Sequence, residues 1–339
     1  MNNYIYFILI NLKIKIKILI FLFISIKLSF LLFDDEFNKK KNRNNKFINN
    51  AKKIKVCVCT LGKKENKYIR EFINHYKNYA IDKIFLYDNN NINDERFDTV
   101  LYDYLKNKYV KIINYRGMSK PQFKIFKECY KMNKRKFDWL LYYDLDEYIH
   151  LKNYPNIKHF LLKKEFKKCK LIYLNTIRHT DNDLLFYDNR TLAERFPYIN
   201  WASDLVSIKS MIRGNLKKVK FRTSHLLDRK IIGCNSLGKK VNPKILIDRK
   251  KIINNILNKN YYIDHYCFKS TEEYITKINK GDAHFGFNNI TRIKKINLYF
   301  SYNKITLKKI NYIEKETGLN LTKYRLKLKK KFISNKLAK

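Results

Sequence analysis

Between Ile54 and Tyr143 the chain alternates between short apolar runs and amphipathic segments, and this alternation restricts its fold more than any other feature. Ile54 to Cys59 is a valine-rich apolar run, after which Ile69, Phe72, Ile73 and Tyr76 recur at helical spacing. Lys83 to Tyr87 is strand-like again, and Glu95 to Lys106 carries Phe97, Val100, Leu101 and Tyr104 at helical positions. Val110 to Asn114 predicts a third strand, Pro121 to Met132 a third helix with proline near its first turn, and Trp139 to Tyr143 a fourth strand. Strands that alternate with helices need right-handed crossovers. The expected fold class is therefore α/β, a Rossmann-like, mainly parallel sheet with helices on both faces.

In such sheets ligands bind beyond the carboxyl ends of the strands. Three polar turns fall there: Thr60-Leu61-Gly62, Asp88-Asn89-Asn90 and Asp144-Leu145-Asp146. Residues i and i+2 of an extended segment face the same way, so the carboxylates of Asp144 and Asp146 converge. Two hard oxygen ligands suit Mg²⁺ or Mn²⁺ holding a diphosphate. The tripeptide is short and also occurs by chance on solvated turns or as a helix cap, so its place at a strand end carries the weight. The first two turns suit nucleotide recognition. The sequence holds no Gly-x-Gly-x-x-Gly and no Walker lysine loop, which argues against a dinucleotide enzyme or a P-loop kinase.

Among 339 residues, 73 Lys and Arg against 30 Asp and Glu give a formal charge of +43. A nucleic-acid partner would concentrate that charge, whereas here lysine is spread along the whole chain together with Asn, Ile and Tyr, while Gly is only 8 and Pro 4. Biased base composition explains this better, and no specific nucleic-acid partner is expected. The cysteines Cys57, Cys59, Cys129, Cys169, Cys234 and Cys267 show no zinc spacing. Cys57 and Cys59 alternate with Val56 and Val58, so core packing is their default reading; an even count permits disulfides without requiring them.

Ile18 to Phe33 is almost wholly apolar, with Lys13, Lys15 and Lys17 before it and Asp34-Asp35-Glu36 after it. As a helix it reaches about 24 Å, short of a ~30 Å hydrocarbon core unless Lys27 snorkels and Tyr4 to Leu12 contributes. No small-residue cleavage site follows. The expected organisation is a signal anchor at 1–33, a polar stem at 34–53, a catalytic domain at 54–285 and a basic helical extension at 286–339. That makes a single-pass type II membrane protein, of the secretory pathway if the source is eukaryotic, with a cleaved signal as the alternative. The sequons at Asn189, Asn289 and Asn320 are expected by chance in an Asn-rich chain.

Several separated blocks resemble glycosyltransferase family 92 and its relatives among the family 2-like enzymes of the GT-A fold. They are Val56 to Thr60 with Glu65-Asn66 and Glu71-Phe72, then Ile84 to Asn90, and Ile113 to Gly117 with Pro121-Gln122. The aspartate pair with Glu147-Tyr148, Glu194-Arg195-Phe196, Lys209-Ser210, and His265-Tyr266 with Lys269-Ser270 complete the set. The likeness runs from about Ile54 to Gly281 in family order, and departs from it in the acceptor region at Thr180-Asp181-Asn182-Asp183.

This resemblance implies a metal-dependent inverting transferase that moves a hexose such as galactose from a UDP-sugar donor to a glycan acceptor. Asp144 and Asp146 would hold Mn²⁺ or Mg²⁺ on the donor diphosphate, with His265 as a third ligand; a lone histidine is as often a packed structural residue. Thr60, Glu65, Asp88 and Asn89 would serve the nucleotide, although Asp and Asn also begin turns for conformational reasons, and Lys269 would steady the diphosphate. A carboxylate must take the acceptor's proton. Asp183 is favoured, with Asp181 and Glu194 as alternatives; Glu194-Arg195 also reads as a structural ion pair. The rivals are a metal-dependent nucleotidyltransferase, disfavoured by the single Gly62 in the first turn, and a non-enzymatic basic protein tethered to a membrane.

Overall fold

The structure, a computed structural model, describes residues 49–119, 121–199, 207–217, 219–221, 231, 233–242, 249–279 and 289–337. The expected anchor, most of the stem and Gly281 lie outside them. Among the described residues no helix is long and apolar enough to cross a membrane. The chain divides into two units, Met1–Lys53 and Ile54–Lys339. Among the described residues the second carries a ten-stranded sheet.

Four strands set the frame: β1 (Val56–Gly62), β2 (Lys83–Asp88), β3 (Val110–Asn114) and β4 (Trp139–Tyr142). They run parallel in the order β3-β2-β1-β4, with β1 between β2 and β4. The chain therefore builds outward from β1 through β2 to β3 and then returns to its other side. That reversal opens a crevice at the carboxyl ends of β1 and β4.

Burial explains why the pattern of β1 lacks polar alternation. Val56 and Val58 point into one core with Tyr68, Ile69, Phe72, Ile73 and Tyr76 of helix Asn66–Asn78. Cys57 and Cys59 point into another with Ile125, Phe126 and Cys129 of helix Gln122–Asn133. A strand covered on both faces has no solvent side to mark with polar residues. The expected helix over Glu95 to Lys106 is two short helices, Phe97–Val100 and Tyr102–Lys106, joined at Leu101.

Past β4 the expectation of a mainly parallel sheet needs correction. The remaining strands are β5 (Glu147–Leu151), β6 (Leu171–Arg178), β7 (Ser207–Arg213), β8 (Gly233–Asn235), β9 (Lys240–Val241) and β10 (Tyr261–His265). β7 lies antiparallel to both β4 and β6, β10 pairs parallel with β6 and antiparallel with β5, and β8 pairs antiparallel with β9. The sheet is mixed and Rossmann-like in its first half. Its second half was hard to foresee because antiparallel neighbours arrive through long, irregular connections rather than helical crossovers.

Four cysteines pair. Cys59 joins Cys129 and Cys169 joins Cys234, closing separations of 70 and 65 residues, while Cys57 and Cys267 stay reduced. Core packing, the default reading for Cys57 and Cys59, holds for both positions, and Cys59 is disulfide-bonded as well. Helices Asn289–Tyr302, Leu307–Thr317 and Thr322–Leu337 share a third core with Phe268 and with Tyr274, Ile275 and Ile278 of helix Thr271–Asn279.

Candidate active site

Gly62 ends β1 where only glycine fits, since a Cβ there would come within 2.6 Å of the Phe97 ring and 2.7 Å of the Leu145 side chain. The first turn and the Asp144-Leu145-Asp146 turn therefore abut at the crevice. After Asp146 the chain reverses into β5 at once. The Asp144 amide donates to Glu147 Oε2 at 3.1 Å, and the Glu147 amide donates to the Asp144 carbonyl at 3.0 Å.

β5 pairs with β10 so that Glu147 faces His265, and the Tyr266 amide donates to the Asp146 carbonyl at 2.9 Å. This register brings His265 Nε2 to 3.5 Å from Asp146 Oδ1 and 3.9 Å from Glu147 Oε1. Residues 119 positions apart meet because two antiparallel strands carry them. Glu147 Oε1 and His265 Nδ1 are buried and have no hydrogen-bond partner among the described residues.

Two lysines complete the cluster. Lys209 of β7, with a side chain 0% exposed, places its ammonium 2.6 Å from Asp144 Oδ2 and 2.9 Å from Glu147 Oε2. Lys277 of helix Thr271–Asn279 donates to Asp146 Oδ2 at 2.6 Å and to the Cys267 carbonyl at 3.3 Å. Sequence reasoning assigned no role to either lysine or to Glu147. Lys209 falls in a block that carried the resemblance, but in a chain with so many lysines nothing local distinguishes Lys277.

The charges are strongly coupled. Burial would raise the Asp146 carboxyl, but Lys277 and His265 outweigh it and hold the group well below the usual carboxylate range. Burial, reinforced by Asp144 and Asp146, pushes Glu147 up to about 8 against the pull of Lys209. Burial lowers His265 although Asp146 works against it. Both lysines rise above the ordinary value, since their carboxylate partners outweigh burial. The two aspartates thus face two ammonium groups.

The expected nucleotide residues are placed differently. Asp88 Oδ1 accepts from the amide and the side chain of Asn90, and its Oδ2 from Arg116 Nη1 at 2.9 Å. Asn89 donates to the carbonyls of Tyr115 and Met118. An open cleft of about 560 Å³ borders Asp88, Arg96, Lys111 and Arg116, and its lining includes none of Asp144, Asp146 and His265. Thr60 is buried with its hydroxyl unpartnered among the described residues. Lys269 lies 3.2 Å from Glu65 and 3.3 Å from the centre of the Tyr68 ring, within a network that continues through Glu273 to Arg195.

The three carboxylates expected to act as base also have partners. Asp181 binds Lys309 at 2.6 Å and accepts from Tyr299, and Asp183 binds the same lysine at 2.8 Å. Glu194 closes a capping box with Thr191 at the start of helix Leu192–Arg195. None of the hydrogen bonds or ion pairs described for these three joins them to Asp144, Asp146 or His265. Asp183, its side chain 48% exposed, and the exposed Glu194 both present carboxylate to solvent, but Asp183 is held ionised by its lysine partners whereas Glu194 is held by its own capping box, and Asp181 is buried.

A divalent cation fits the donor types here, two carboxylate oxygens and an imidazole nitrogen around one point, one of those oxygens buried and unpartnered. As the side chains stand, no three His, Cys, Asp or Glu among the described residues form a ready metal group. Lys277 and Lys209 hold the carboxylates instead.

The family model described as glycosyltransferase family 92 matches residues 52–332. A glycosyltransferase family 92 protein of Ricinus communis is 23% identical over 103 residues, 30% of this chain and 18% of its own length. One from Oryza sativa subsp. japonica is 26% identical over 95 residues, 28% of this chain and 16% of its own length. The aligned stretch thus spans under a fifth of either curated relative. Among solved structures, that of S. aureus TarS 1-349 shares 13% identity over 73% of this chain and 71% of that one, with a TM-score of 0.35. Its complex with UDP-GlcNAc shares 14% over 78% and 80%, with a TM-score of 0.34.

Proposed function

The chain belongs to glycosyltransferase family 92, and from that premise we propose that it transfers a hexose, galactose being the leading candidate, from a UDP-sugar to a glycan acceptor with inversion. The observation that supports this best is the meeting of Asp146, Asp144, Glu147 and His265 at the crevice where the sheet order reverses. Asp146, His265 and Glu147 are the groups that would hold Mn²⁺ or Mg²⁺, and the ion would supply charge neutralisation on the departing diphosphate.

The chain's own residues do the rest. Lys209 keeps Asp144 and Glu147 oriented from below the turn, and the Glu147–His265 pairing fixes the imidazole beside Asp146. Asp183 is proposed as the group that takes the acceptor proton, because an ionised, partly exposed carboxylate is what that step needs. Residues 1–33 are proposed to anchor the protein in a membrane in the type II sense, with 34–53 as stem.

Asp146→Ala in the full chain tests the reading. Release of UDP from UDP-sugars, measured with Mn²⁺ present, is expected to fall about 10²-fold or more, the usual loss when charge stabilisation at a leaving group is removed. Unchanged turnover overturns it.

A further inference from the structure

The two lysines at the aspartate turn differ in one physical respect. Lys209 is fully enclosed and bridges two carboxylates, so it has neither space nor a free path to a ligand. Lys277 has 36% of its side chain exposed, makes its charged contact among the described residues with Asp146, and sits on a flexible stem. Lys269, expected at the sequence level to steady the diphosphate, is tied to Glu65 and the Tyr68 ring.

A diphosphate entering beside Asp144 and Asp146 brings further negative charge to carboxylates whose ammonium partners, Lys209 and Lys277, are already engaged. Either a cation must enter with it or one already present must turn toward it. We infer that Lys277 is an exchangeable cation: it holds Asp146 in the free protein, competes with a divalent ion for that carboxylate, and binds the diphosphate of the donor nucleotide once released. This rests on the function proposed above and adds a diphosphate contact from helix Thr271–Asn279. Only a side-chain rotation is needed, since the ammonium lies 2.6 Å from the carboxylate that would pass to the ion.

Two titrations of the full chain test it. UDP binding is measured calorimetrically in EDTA, and Mn²⁺ binding without nucleotide is measured from the resonance signal of the free ion, for the wild type, Lys277→Met and Lys277→Arg. Removing the ammonium is expected to weaken UDP binding in EDTA about 10-fold, as for a lost charge-assisted contact, and to tighten Mn²⁺ binding by a similar factor. Lys277→Arg keeps UDP binding within a few-fold and, by matching thermal melts, excludes misfolding as the cause in the methionine variant. If Lys277→Met binds UDP in EDTA as the wild type does, or if its Mn²⁺ affinity is unchanged, the inference is overturned and the functional reading stands. If the wild type binds no UDP with Mn²⁺ either, the functional reading falls and the inference with it.

Discussion

The turns after β2 and β4 both place buried aspartates at the carboxyl edge of one sheet, yet Asp88 is held by its neighbour Asn90 and by an arginine just past β3, whereas Asp144 and Asp146 are held by lysines 65 and 131 residues away. Arg116 donates to Asp88 and to the carbonyls of Asn91, Ile92, Asp94 and Glu95, so one planar guanidinium ties the whole loop together. At the other turn Lys277 reaches Asp146 across 131 residues as a single point charge. A fork that satisfies five acceptors is a fixed part of a loop. A point charge on a flexible stem can leave. Equivalent positions in a sheet therefore do not imply equivalent roles.

The bluntest way to break this comparison is to loosen both turns together. Reducing the two disulfides is expected to cost about 4 kcal/mol each, from loops of 70 and 65 residues, read as a lowered urea midpoint with reductant present. Because Cys59 lies in β1, beside both turns, neither turn should be spared. Lys209→Met discriminates between them. It leaves the carboxylates of Asp144 and Glu147 without their buried partner and is expected to cost about 3–5 kcal/mol in urea unfolding. Arg116→Met is the mirror experiment, with an expected cost of about 2 kcal/mol from lost charged hydrogen bonds. Amide exchange should quicken across residues 89–95 and stay unchanged at 144–148; equal quickening at both would show that the turns are not independent.

The gentlest test uses pH. The Glu147 carboxyl is raised to about 8 in the folded protein, so its stabilising contribution is fully present below its unfolded value near 4.5 and is lost as pH rises through 8. Asp146 is depressed and acts in the opposite sense: its contribution is present above the unfolded value near 3.8 and is lost as the solution is made more acid. Glu147→Gln should therefore flatten the fall in stability between about pH 4.5 and 8 by about 1–2 kcal/mol, while leaving the acid limb in place. A wild-type profile already flat over that range would show that Glu147 is ionised throughout it.

Much of the first half was legible because local signals and tertiary position agree there. β3 matches its expected span, β1, β2 and β4 lie within three residues of theirs, the buried face of the first helix follows the expected periodicity, and the third helix lies within one residue of its expected span. The site was legible only in part. Asp144 and Asp146 announced themselves by spacing, and His265 by the resemblance, but Lys277 carries no local mark among so many lysines. The internal partners of Asp88 and Asn89 were not readable because a turn-forming aspartate and a ligand-binding one have the same neighbours in sequence. Asp181 and Asp183 likewise gave no hint of Lys309, which arrives 126 residues later than Asp183.

By itself the sequence determined the α/β alternation and the aspartate-bearing turn at the crevice-facing end of β4, since periodicity is a property of neighbouring residues. Only the tertiary structure decided that the sheet turns mixed beyond β4, that four cysteines pair, and that Lys209 and Lys277 hold the two aspartates. Those outcomes depend on which distant segments are brought within a few ångströms, and electrostatic pairing at that range is set by the fold rather than by the residues on either side.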